Sequence, residues 1–140
     1  MFIRRPSIMA NGTIAFDTLS TSGQIDGTAR SIDTDYLLNG SAKCWINQDD
    51  QTTINDSFNV GSLTDVGGGR GGVNFSNNMS NANFAPVVSA TNTAANSGVN
   101  IGSYERDSIS TSKFNMRTGT PSSGPEDQDS VTGVAHGELA

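Results

Sequence analysis

AKCWIN (42–47), QDDQTT (48–53), INDSFNVGSLTDV (54–66), GGGRGG (67–72) and VNF (73–75) form the stretch that decides the fold. Ala42, Cys44 and Ile46 alternate with Lys43, Trp45 and Asn47, the period-two pattern of a strand with two unlike faces. Gln48, Asp49 and Asp50 are turn formers. The pattern continues through 53–59 and 60–66, breaks at the glycines and resumes at Val73 and Phe75. Short apolar runs punctuated in this way write a β-meander, and no run here is spaced for a helix.

Working outward, four more strands are predicted over 84–90, 99–106, 109–116 and 131–136, with SNNMSNAN as a loop holding one helical turn around Met79. Their number and spacing predict an all-β fold, a single small antiparallel β-sandwich or jelly-roll-like domain over 40–140. Its expected core is Trp45, Ile46, Phe58, Val73, Phe75 and Phe84. Trp45 could instead be a sugar-stacking platform, but one large ring in a thin core favours burial. Residues 1–39 read differently. Ile14 and Phe16 suggest one strand in NGTIAFDTL, whereas TSGQIDGTARSIDTD places its apolar residues at no period. We read 1–39 as an extended N-terminal arm that docks on another chain or exchanges a strand with a sister chain, with Phe2, Ile3, Arg4, Arg5, Ile14 and Phe16 as docking residues.

Composition narrows the function. The chain has 140 residues, 34% apolar and only 16% charged. About a third are Ser, Thr or Asn, which gives a thin core under a polar surface. Low charge density argues against disorder. A net charge of −6 with scattered Lys and Arg argues against nucleic acid as a partner. Arg4, Arg5 and Pro6 follow Met1-Phe2-Ile3 at once, leaving no apolar core for a signal peptide, and no run is long enough to insert in a membrane. Synthesis in a cytoplasm is the expectation. Cys44 is the only cysteine, so neither an intrachain disulfide nor a cysteine-based zinc site is available.

Motifs with chemical meaning are few. Gly67, Gly69 and Gly72 match the spacing of a dinucleotide fingerprint, but VNF follows where that motif needs a helix. GGGRGG therefore reads as a flexible hairpin tip that exposes Arg70 to a ligand or neighbour. Tyr104, Asn77 and Asn78 are the other candidate ligand or receptor contacts. His136, the single histidine, lacks a nucleophile elbow, so no catalytic residue is assigned. Asp33-Thr34-Asp35 and Glu126-Asp127-Gln128-Asp129 are oxygen-rich without the order of a calcium loop, and they read as solvated turns. No metal or cofactor is expected. Five Asn-X-Ser/Thr triplets, at Asn11, Asn39, Asn55, Asn74 and Asn78, follow from a composition rich in these residues.

IDTDYLLNGSAKCWIN, INDSFNVGSLTDVGGGRGGVNFSNNMSNANFAP and the closing VTGVAHGELA together resemble a β-rich domain of tail-fibre-like and other virion structural proteins of marine tailed phages, the cyanophage type. Lys43, Trp45, Val60, Thr64, Asp65, Val73, Phe75, Met79, Ala82, Asn83, His136, Gly137, Leu139 and Ala140 fall on that family's pattern. The segment Asp17 to Gly23 resembles its short leaders. Cys44 stands where the family has a small residue, and GGGRGG replaces a turn that usually holds an aspartate.

The resemblance implies a non-enzymatic virion protein, made in the host cytoplasm and displayed on the particle surface. It would attach through its N-terminal arm to other virion proteins of the capsid or tail, as a decoration or fibre component, and would form a homo-oligomer such as a trimer. Two alternatives are a receptor-binding module for a host-surface glycan or protein, and a free carbohydrate-binding module. A polysaccharide hydrolase would need a carboxylate pair in a groove, for which so small a domain has little room.

Overall fold

The computed structural model describes residues 24–26, 31–92 and 99–140. By contacts the chain divides into two units, Met1–Thr34 and Asp35–Ala140. In the first, β1 (Gln24–Asp26) pairs antiparallel with β2 (Ser31–Asp33). This hairpin lies where no periodicity was legible. The docking residues Phe2, Ile3, Arg4, Arg5, Ile14 and Phe16 lie outside the described residues.

The helix α1 (Thr34–Gly40) is a departure from the all-strand expectation. Its Tyr36, Leu37 and Leu38 are exposed. The ammonium of Lys43 donates to the Leu38 carbonyl and to Ser41 Oγ, which ties the end of the helix to the strand that follows.

The strands beyond residue 40 match the expected eight in number and order: β3 (Cys44–Asp49), β4 (Thr53–Phe58), β5 (Val60–Gly67), β6 (Arg70–Phe75), β7 (Ala85–Thr91), β8 (Ile101–Ser110), β9 (Lys113–Thr120) and β11 (Ser130–His136), with a short β10 (Gly124–Pro125) between the last two. The strand expected over 109–116 lies later, because Ile109 and Ser110 end β8 and the chain turns at Thr111 and Ser112. They form an all-β sandwich of two antiparallel sheets. One has the order β4-β3-β11-β7. In the other, β9 lies between β8 and β6, β6 pairs with β5, and β10 extends β9 beyond the end of β6. The turn after β3 falls at Asp50–Thr52, two residues later than expected, because Gln48 and Asp49 still pair with β11.

Between the sheets lies a compact apolar core of Cys44, Ile46, Val73, Phe75, Met79, Phe84, Val88, Phe114, Met116, Val131 and Ala135. Three rings organise it: Phe84 meets Phe75 edge-on at 5.5 Å and Phe114 at 6.2 Å, and Phe75 lies 5.9 Å from Phe114. Such contacts add to the burial of the rings themselves. Gly133 faces inward on β11 between Val131 and Ala135, where a Cβ would press on Ile46 and Met116. Ile46, Val73, Phe75 and Phe84 are thus core residues, as expected.

Trp45 and Phe58 are not. Trp45 is 37% exposed and Phe58 49% exposed, both on the outer face of the four-stranded sheet. Since Cys44 and Ile46 point inward, the residue between them must point out. Phe58 sits opposite Trp45 in the register and shares its face. Met79 makes no helical turn; it is buried and forms an antiparallel bridge with Leu139. Ser80 N to the Glu138 carbonyl (2.8 Å) and Ala140 N to the Asn78 carbonyl (2.9 Å) fasten the C-terminal residues to this loop.

The crossing from one sheet to the other at Asn59 is held by its side chain. Asn59 adopts φ of 57°, which asparagine tolerates better than most residues. Its Nδ2 donates to the carbonyls of Lys43 and Asn77, both at 3.0 Å, and its Oδ1 accepts from Asn77 N at 2.7 Å.

Candidate functional site

The two outer faces of the sandwich differ in chemistry. On the four-stranded sheet, cross-strand partners align Phe58 with Trp45, Trp45 with Val134, and Val134 with Val87, an apolar row that crosses all four strands. Val87 is 65% exposed. Strand spacing makes the row about 14 Å long. Beside it runs a polar row of Asp56, Asn47, Thr132 and Ser89.

On the other sheet the outer face is polar and charged. Arg70 of β6 lies directly opposite Arg117 of β9, and Arg117 lies opposite Ser103 of β8. Glu105, two residues along β8, forks onto Arg70: Nε donates to Oε1 at 2.6 Å and a terminal nitrogen donates to Oε2 at 3.0 Å. Asn115 Nδ2 also donates to Oε2, at 3.1 Å. These donors, with the hydrogen bond from Arg70 the largest cause, hold the Glu105 carboxyl below its ordinary range. Between Glu105 and Ser110 the register of β8 shifts, and Ser108 closes the bulge: its Oγ donates to the Glu105 carbonyl at 2.7 Å and accepts from Asn115 N at 2.9 Å. The bulge, with Arg70, Arg117 and Ser103, lines an open groove of about 500 Å3.

The glycine run is more tightly held than a flexible tip. Gly67 and Gly69 do take positive φ, 111° and 70°. Yet Gly69 N donates to Asp127 Oδ1 at 2.7 Å, and the Gly69 carbonyl accepts from Thr118 N at 2.7 Å. A side chain at Gly69 would strike the backbone of Thr118 and Glu126. Arg70 therefore stands just inside the strand, half-exposed and paired, rather than free at a tip.

Of the four candidate contact residues, Arg70 and Tyr104 line the same groove. Tyr104 pairs with Met116, however, which places its side chain on the face of β8 opposite to Ser103 and Glu105. Asn77 and Asn78 are exposed in the loop held by Asn59 and Ala140, a separate place. Glu105, Arg106 and Arg117 were missed by sequence reasoning. Only the alternation KFNMRT, with Arg117 out of phase with Phe114 and Met116, hinted at an outward arginine. His136 is exposed at the end of β11 opposite Ala85. No group of three or more His, Cys, Asp or Glu that could hold a metal ion occurs among the described residues, and no described helix is long and apolar enough to cross a membrane. No family model matches the chain, and no curated protein or solved structure is significantly similar to it.

Proposed function

We propose that this chain is a non-enzymatic structural protein of a phage virion, displayed on the particle surface and mounted on the capsid or tail through its N-terminal residues. The sequence resemblance supplies the class. The observation that carries the reading is the apolar row Phe58, Trp45, Val134 and Val87, laid across a sheet face that is otherwise polar. Two aromatic rings on an outer face are the residue types enriched at protein contacts. A neighbouring virion protein, or a sister chain in a homo-oligomer, would cover that row and leave the charged face of the other sheet turned outward. That outward face favours recognition of a host-surface glycan as the second reading.

The test is composition of purified particles. Quantitative mass spectrometry of gradient-purified virions should find the chain in many stoichiometric copies, and surface biotinylation of intact particles should label Lys113 on the charged sheet. Its absence from washed particles would end this reading.

A further inference from the structure

Three of the six arginines, Arg70, Arg106 and Arg117, line one groove of a chain whose net charge is −6. Two of them face each other in the register, an arrangement of like charges that destabilises a sheet unless something neutralises it. Glu105 neutralises Arg70, and its two oxygens are already taken by Arg70 and Asn115. Among the described residues, Arg106 and Arg117 form no ion pair. Asp107 is the other carboxylate in the groove, so three arginines stand against two acids and one positive charge is uncompensated.

The geometry points to this groove as a binding site for an oxyanion, carboxylate or sulfate, carried on an acidic glycan. A guanidinium presents parallel donors that match both groups. Glu105, paired with Arg70, also attracts Arg117 and so offsets much of the repulsion across the register; a bound anion opposite Arg117 would neutralise the positive charge left over. The groove is open, so a lone ion there would keep most of its water and gain little. An oxyanion on a sugar chain adds hydroxyls that can bond the groove walls, where Ser103 is exposed. This deepens the glycan-recognition reading. Because the test uses the isolated chain, its outcome is distinct from whether the chain is found in particles.

Titration calorimetry at low salt, with a size-defined oligogalacturonate, a sulfated dextran oligosaccharide, neutral dextran, sodium sulfate and a DNA oligonucleotide, tests the assignment. We expect saturable binding to at least one acidic oligosaccharide. Neutral dextran and free sulfate should give no heat, and binding should weaken with added salt. The R106Q/R117Q double variant should lose at least about tenfold in affinity, as expected when charge-assisted hydrogen bonds are removed. Both positions are exposed, and a cooperative melt at or above the wild-type temperature would show that the variant is folded. No binding to either acidic glycan, undiminished binding by the double variant, or equal binding of DNA or free sulfate would overturn the proposal.

Discussion

Replacing Trp45 with alanine separates a displayed side chain from a core one. In a core, Phe or Trp to Ala costs about 3–5 kcal/mol. Trp45 is 37% exposed, and its cross-strand partners are Phe58 and Val134. Each such pair contributes roughly 0.2–1 kcal/mol, so W45A should cost about 0.5–2 kcal/mol. Phe114 is fully buried in contact with two other rings, and F114A should cost about 3–5 kcal/mol. Urea unfolding followed by far-ultraviolet circular dichroism measures both, at a protein concentration low enough to suppress association. Since Trp45 is the only tryptophan, iodide quenching of native fluorescence gives an independent reading of its exposure. A loss for W45A equal to that for F114A, or native fluorescence shielded from iodide at low concentration, would refute the placement of Trp45 on an outer face.

Four further outcomes follow from the same geometry. Asn59→Ala removes three side-chain hydrogen bonds and places alanine at φ of 57°, so it should cost about 3 kcal/mol in chemical unfolding. Asn59→Gly should recover about 1 kcal/mol of that, and equal stabilities for the two variants would contradict the backbone part of the argument. Gly69→Ala should destabilise by about 2–4 kcal/mol because its Cβ meets the backbone of Thr118 and Glu126; an unaltered melting temperature would show that the tip is loose. The Cys44 thiol is pushed up to about 12 by burial, so a disulfide reagent at neutral pH should label the unfolded chain and leave the native one unmodified over the same time. Glu105 titrates below the ordinary carboxylate value of 4.5 in the folded chain, mainly because Arg70 donates to it. Its contribution to stability is therefore complete above that value and is lost as pH falls through the lower folded value. Melting temperature should drop less steeply for Glu105→Gln than for the wild type over this acid range, and parallel curves would remove the Arg70–Glu105 pair from the account.

Much of the sandwich was legible because turn formers and period-two runs are local signals. The alternation at 42–47 also held the clue to Trp45: it shares a face with Lys43 and Asn47, and neighbouring residues Trp45 and Ile46 cannot both point inward along one strand. The size of the ring outweighed that parity in the expectation for the core. Phe58 could be placed only through its register partner, which depends on the pairing of β3 with β4. Phe114, at the centre of the ring cluster, lay in a strand that was expected, but its centrality depends on packing against Phe75 and Phe84. The helix over 34–40 is too short for a period to show, and its consecutive Tyr36, Leu37 and Leu38 do not mark one face. The charged groove was illegible for a different reason. Arg70 and Glu105 are 35 residues apart, and they meet only because β9 pairs with β6 on one edge and with β8 on the other.

Electron microscopy of purified, intact particles tests the central proposal most directly. The account predicts copies of the sandwich at repeated positions on the capsid or tail, with Trp45 and Phe58 against a neighbouring chain and the groove of Arg117 facing solvent. Particles carrying no density for this domain, or density with the tryptophan face bare and the charged face buried, would contradict it.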